Sequence, residues 1–175
     1  MSQSLYAALL GQAFVDLPPT LQRIHAQPGH HRYHGEVSVR RGRGWLARLC
    51  AWATRLPPAG EGPITVDIDA GDGRERWTRH VAGHAMPSRL WARYGLLCEQ
   101  LGLVRLGFRL EVDAGAINWR VASVRLPGGL PLPVRWFHGV HARESEQAGR
   151  YHFDVIAALP LAGTLVHYRG WLHVD

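Results

Sequence analysis

Histidines, arginines and carboxylate pairs are the residues with which this 175-residue chain could do chemistry. His30, His31 and His34 cluster, His80 and His84 stand four apart, and His138 and His141 stand three apart. A zinc site needs three or four converging ligands and a fixed set of outer hydrogen bonds. On a strand, residues three apart point to opposite faces, so neither His138 with His141 nor His31 with His34 can share a metal without a bulge. Solvent-facing imidazoles are the simpler reading, and neither metal nor cofactor is expected. Asp67 and Asp69 share one face of a strand at about 7 Å, a spacing that some acid–base pairs use, but two acids on the outward face of an edge strand are commoner. No serine or cysteine stands in a nucleophile elbow. Arg41-Gly42-Arg43-Gly44 lacks the strand–loop–helix setting of a phosphate loop. Catalysis finds no support in these patterns.

What remains is a polar sheet face, and its position follows from two hairpins. Val104, Leu106, Phe108, Leu110 and Val112 alternate with Arg105, Gly107, Arg109 and Glu111, then Ile117, Trp119 and Val121 alternate with Asn118, Arg120 and Ala122. A two-residue loop at Ala114-Gly115 sets Val112 opposite Ile117, Leu110 opposite Trp119 and Phe108 opposite Val121, and a one-residue slip would destroy every match. Arg109 then faces Arg120, which is unfavourable unless an anion or carboxylate lies between them. In the last hairpin, Tyr151, Phe153 and Val155 meet Leu172, Gly170 and Tyr168, while His152 meets Trp171, Asp154 meets Arg169 and Ile156 meets His167. If the sheet curves, Arg105, Arg109, Glu111, Asn118 and Arg120, together with Asp154, His167, Arg169 and Trp171, could line a groove. Guanidinium donors beside flat apolar surface suit a ligand with an anionic head and an oily body. The competing expectation is that this face looks at water.

The elements that must position these residues read as α+β. Ser4 to Phe14 is helical, Pro18-Pro19 stops it, and a short second helix carries Leu21 and Ile24. Strands follow at Arg32–Arg40, Pro63–Asp69, Arg74–Val81, Ser88–Ala92 and Leu96–Gln100, and later Val134–Arg143, with Glu144–Gly149 as a polar loop. Trp45 to Leu56 is a helix with Trp45, Leu49, Trp52 and Leu56 at helical spacing and arginines on its flanks. It covers a face or an end of the sheet, while Trp45 and Trp52 make it a candidate for membrane or partner contact. The expected architecture is one α+β domain, 1–175, with a strongly bent antiparallel sheet of about eight or nine strands that could close into a half-barrel, covered by the N-terminal helices and the Trp45–Leu56 helix.

Composition fits an ordinary globular chain, with 46% hydrophobic and 19% charged residues. Every basic residue other than histidine is arginine, which with abundant Ala, Gly and Pro fits coding bias in a GC-rich bacterium. The net charge of +6 favours anionic partners. It is spread along the chain without a basic block, so nucleic acid is not expected. Cys50 and Cys98 lie far apart in no metal-like spacing, as reduced cytoplasmic thiols do. No apolar run reaches the roughly 18–20 residues that span a bilayer, and MSQSLYAALLGQAF has no basic leader.

Three blocks, LGQAFVDLPPTLQRIH, RRGRGWLARLCAWATRLPPAG and RYHFDVIAALPLAGTLVHYRGWL, resemble a bacterial domain-of-unknown-function family. That family occurs alone or fused at the C-terminal end of saccharopine-dehydrogenase-like reductases. The resemblance carries no activity, cofactor or catalytic residue, and implies accessory work beside a reductase, here in trans. The expected function is a non-enzymatic binding domain for a small amphipathic, anionic, lipid-like ligand. The alternatives are a protein-docking domain beside an oxidoreductase and an enzyme with an unrecognised site.

Overall fold

The computed structural model describes residues 4–174; the first three residues and Asp175, part of the expected 1–175 domain, lie outside the described residues. Ten antiparallel strands close on themselves in the order β1-β10-β9-β8-β7-β6-β5-β4-β3-β2. They are β1 (Gly29–Arg41), β2 (Gly60–Gly71), β3 (Arg74–Val81), β4 (His84–Arg93), β5 (Leu96–Leu101), β6 (Val104–Asp113), β7 (Ala116–Arg125), β8 (Gly139–Gln147), β9 (Arg150–Leu159) and β10 (Gly163–His173). The expected strongly bent antiparallel sheet is present, but it has ten strands and closes fully, where eight or nine strands and a half-barrel were expected. Closure comes from β1, which pairs with β2 on one side and with β10 on the other, His34 opposite His173 and Arg41 opposite Val166.

Both hairpin registers hold as the alternation demands. Val112 faces Ile117, Leu110 faces Trp119, Phe108 faces Val121 and Arg109 faces Arg120. A bulge between Gly107 and Phe108 then shifts the partner strand by one residue, the extra residue bending the strand where the wall must curve. In the last hairpin Tyr151 faces Leu172, Phe153 faces Gly170 and Asp154 faces Arg169. A Cβ on Gly170 would lie 2.8 Å from Cζ of Phe153, so the ring does lie over the glycine.

Closing the sheet turns its apolar side inward, because only that side gains by leaving water. Val37, Val39, Ile64, Val66, Ile68, Leu90, Leu97, Ile117, Tyr151, Val166 and Leu172 are all buried in one core.

In an up-and-down barrel, alternate connections lie at opposite ends. One end, here called the floor, is plugged by the N-terminal helices α1 (Leu5–Leu10), α2 (Gln12–Val15) and α3 (Pro19–Ala26). The expected single helix over Ser4–Phe14 breaks at Gly11, whose φ of 56° only glycine adopts freely. Tyr6, Leu21, Ile24 and His25 point from the plug into the core. The other end, the mouth, is crossed by α4 (Trp45–Ala53). Its entry packs on β10 through the Gly42 N–H to the Leu165 carbonyl, and its exit is held by the Leu103 N–H donating to the Ala53 carbonyl at 2.9 Å. The helices therefore cap the two ends instead of covering a sheet face.

The expected strand Val134–Arg143 also differs. Val134–Phe137 is a 3-10 turn, and β8 runs on through Gln147, so four of the six residues of the expected polar loop Glu144–Gly149 are strand.

Candidate functional site

Inside the barrel, on the mouth side of the plug, lies a cavity of about 440 Å³, within the range of small-ligand pockets. Its wall is mostly hydrocarbon, including Val104, Leu106, Phe108, Phe153, Val155 and Leu165. Leu49, Cys50, Ala53 and Thr54 of α4 close its upper side. The polar groups of the lining include Arg79, Glu99, Glu144, Tyr151 and Tyr168, with His141 also among them.

Strand parity brings these groups in. On β3, Glu75, Arg79 and Val81 share the face of Trp77, and on β5, Glu99 shares the face of Leu97. Arg79 has a side chain only 12% exposed, and its Nη1 donates to Ser88 Oγ at 3.0 Å and lies 3.5 Å from Glu99 Oε1. Its Nε and Nη2 have no protein partner among the described residues. Burial works against the charge of this guanidinium, but acidic neighbours, Glu99 among them, more than offset it, and its pKa lies above the ordinary value. Burial also pushes the phenols of Tyr151 and Tyr168 above their ordinary range, so at neutral pH both keep a hydroxyl proton to donate. Trp119 lines the same cavity, and its buried indole N–H has no partner among the described residues.

Below this lies a second polar group at the floor. His25 Nε2 and Glu144 Oε2 are 2.7 Å apart and fully withdrawn from solvent. Tyr6 stacks on His25 at 3.6 Å, and Trp77 lies on its other side at 5.8 Å. Glu75 accepts from the Trp77 indole at 2.7 Å, and burial raises its pKa above the ordinary value.

The residues singled out from sequence lie elsewhere. Arg105, Arg109, Glu111, Asn118 and Arg120 stand on the outer wall of β6 and β7. Arg120 pairs with Glu111 at 3.1 Å, the carboxylate that the facing arginines required, and Asn118 accepts from Arg143 at 2.9 Å. Arg105 lies over the Trp91 ring at 5.4 Å. Strand β8 separates this group from Asp154, His167, Arg169 and Trp171 on β9 and β10. There Asp154 bonds His167 at 2.9 Å although it faces Arg169, and Arg150 covers Trp171 at 4.4 Å. Asp154, Arg169 and Trp171 share a shallow outer groove with Glu36, Glu61 and Arg143, charges of both signs. The two groups do not enclose a common pocket, because the sheet curves with its apolar side concave.

Of the outward histidines, His80 meets Asp67 and His167 meets Asp154, whereas His31, His34 and His84 bond the Pro28 carbonyl, the Thr65 hydroxyl and the Arg55 carbonyl. Asp67 is held by Arg32 at 2.6 Å and by His80 at 3.1 Å, and the Arg32 bond keeps its carboxyl below the usual range. Among the described residues, no group of three or more His, Cys, Asp or Glu is placed to hold a metal. Cys50 and Cys98 are unpaired, with thiols raised by burial. No described helix is long and apolar enough to cross a membrane.

Residues 17–172 match the model of a domain of unknown function, DUF4166. The chain belongs to that family. No curated protein matches the chain. Among solved structures, Rv2717c from M. tuberculosis is similar at 12% identity and a TM-score of 0.46, covering 91% of this chain and 99% of that one. A candidate thioesterase II from Thermobifida fusca YX is similar at 10% identity and a TM-score of 0.26, covering 100% of this DUF4166 chain and 88% of the other. Likenesses this distant leave function to be argued from the barrel itself.

Proposed function

We propose that this DUF4166 protein is a binding vessel for a small amphipathic, lipid-like molecule with an anionic head. The supporting observation is Arg79, the one arginine of the cavity lining, with donors left over at the base of an oily chamber. A carboxylate could take its free Nε and Nη2 as a fork, and Tyr168 and the Trp119 N–H offer further donors to an acceptor-rich head. The apolar body would run towards α4 along Phe108, Phe153 and Val155. The contact between Arg79 and Glu99 is long and costs little to exchange, whereas an uncompensated buried guanidinium would be expensive.

Native mass spectrometry of gently purified protein, followed by displacement of a fluorescent long-chain carboxylate, tests the reading. Arg79→Met should weaken binding of the carboxylate by about tenfold or more, the loss of a charge-assisted bond. It should leave a fatty alcohol of equal length much less affected. No binding of either probe, or equal loss for both, would overturn the assignment. In this reading the vessel would serve beside an oxidoreductase, handing over its contents in trans.

A further inference from the structure

Helix α4 is packed with its small residues inward and its large ones outward. Ala47 and Ala51 are buried against the barrel rim, while Trp45 is 76%, Leu49 52% and Trp52 72% exposed. A helix that serves only as a cover would bury its aromatic stripe, as amphipathic surface helices do. The stripe is not alone. Of the nine exposed large hydrophobics among the described residues, seven lie at the mouth end, with Leu103, Leu161 and the pair Leu130 and Trp136 on three further connections; Val15 and Tyr94 lie at the floor.

Charge follows the same polarity. The connections at the mouth, residues 42–59, 82–83, 102–103, 126–138 and 160–162, contain no carboxylate, whereas Asp16 and Asp72 lie in the floor segments. Beside α4 runs an open groove lined by Arg41, Arg48, Arg55, Arg76 and Arg89 with Trp52. None of these arginines is in an ion pair among the described residues.

We infer that the α4 end of the barrel docks onto an anionic membrane surface, with Trp45, Leu49 and Trp52 in the interface and the groove arginines on lipid phosphates. Indoles favour the headgroup boundary, and arginine next to them adds attraction for anionic lipid. A bilayer fits the observed layout better than a folded partner. The apolar groups stand as separate points around a rim, which a deformable surface can accept together and a rigid one must match individually. The barrel also offers no free strand edge for a partner to extend. Docking in this pose sets α4, which closes the cavity, against the lipid. The inference stands whatever the cavity holds.

Co-sedimentation with phosphatidylcholine vesicles, with and without about 30 mol% phosphatidylglycerol, tests it. Binding should require the anionic lipid, weaken at high salt, and shift tryptophan emission to the blue. Trp45→Glu with Trp52→Glu should reduce it by about tenfold or more, as should Arg48→Glu with Arg55→Glu. Arg109→Glu with Arg120→Glu, the same charge change on the outer wall, should leave it nearly intact. All variants alter exposed side chains, and unchanged melting curves confirm that they fold. A wild-type protein that never binds anionic vesicles overturns the inference. So does equal loss in the outer-wall control, which would mean unspecific attraction of a basic protein, or retention only by a partner protein. Arg79→Met, which should weaken carboxylate binding in the cavity, should leave vesicle binding unchanged, so each proposal can fail alone.

Discussion

His25 on the N-terminal plug and Glu144 on β8 meet at 2.7 Å across 119 residues of sequence. Two further hydrogen bonds tie the plug to the described residues of β8 and of the chain after β10. Glu146 accepts from the Thr20 backbone N–H at 2.9 Å, and Arg23 donates to the Val174 carbonyl at 3.0 Å. Glu144→Ala should leave the imidazole without its partner in a dry site, at a cost of about 1–3 kcal/mol. Glu144→Gln, which keeps an oxygen there, should cost less. Urea unfolding of both variants checks the order, and equal losses would mean that the pair contributes only volume.

Glu75 should make stability fall with rising pH. Its folded pKa is raised, chiefly by burial, above the ordinary value of 4.5. A carboxyl of this kind stabilises the fold fully below the unfolded pKa, and that contribution is lost as pH rises through the folded pKa. Glu75→Gln cannot lose a proton and can still accept from the Trp77 indole. The melting temperatures of variant and wild type should converge near pH 4 and separate, variant higher, towards pH 8. A difference independent of pH would refute the assignment.

Gly170 has no room for a side chain. A Cβ there would run into the Glu36 carbonyl of β1 as well as the Phe153 ring. Because β10 carries the closing pairs with β1, Gly170→Ala should strain the seam of the barrel and cost about 1–3 kcal/mol. Thermal unfolding checks this; a neutral result would show that the seam can shift.

The outer arginines should be spectators of ligand binding. Arg109→Ser with Arg120→Ser should leave the affinity for a long-chain carboxylate unchanged and stability within about 0.5 kcal/mol. A large loss of affinity would return the site to the outer wall.

Much of the wall was legible because short hairpins fix register locally, as at Ala114-Gly115 and between Tyr151 and Leu172. Closure was not, since β1 and β10 lie more than a hundred residues apart and nothing near either strand announces the other. The interior charges escaped for a different reason. Trp77 and Val81 mark the inward parity of β3, and that parity places Glu75 and Arg79 inside as well; the charged side chains masked an alternation that was present. Glu144 was harder. The inward set of β8 (Val140, Ala142, Glu144, Glu146) ends in two carboxylates, so the alternation fades towards Gln147 and no period separates that half of the strand from a loop. The Arg/Trp residues of the two hairpins were correctly grouped on one side of each strand, but the direction of curvature decides whether that side is a pocket or a skin.

The seam between β1 and β10 has one more effect. β1 starts and β10 finishes at the floor, as the pairing of His34 with His173 shows. Any tag, linker or companion domain joined next to these strands would therefore hang from the plugged base, and a protein immobilised through it would present α4 and its tryptophans unobstructed to whatever it is offered.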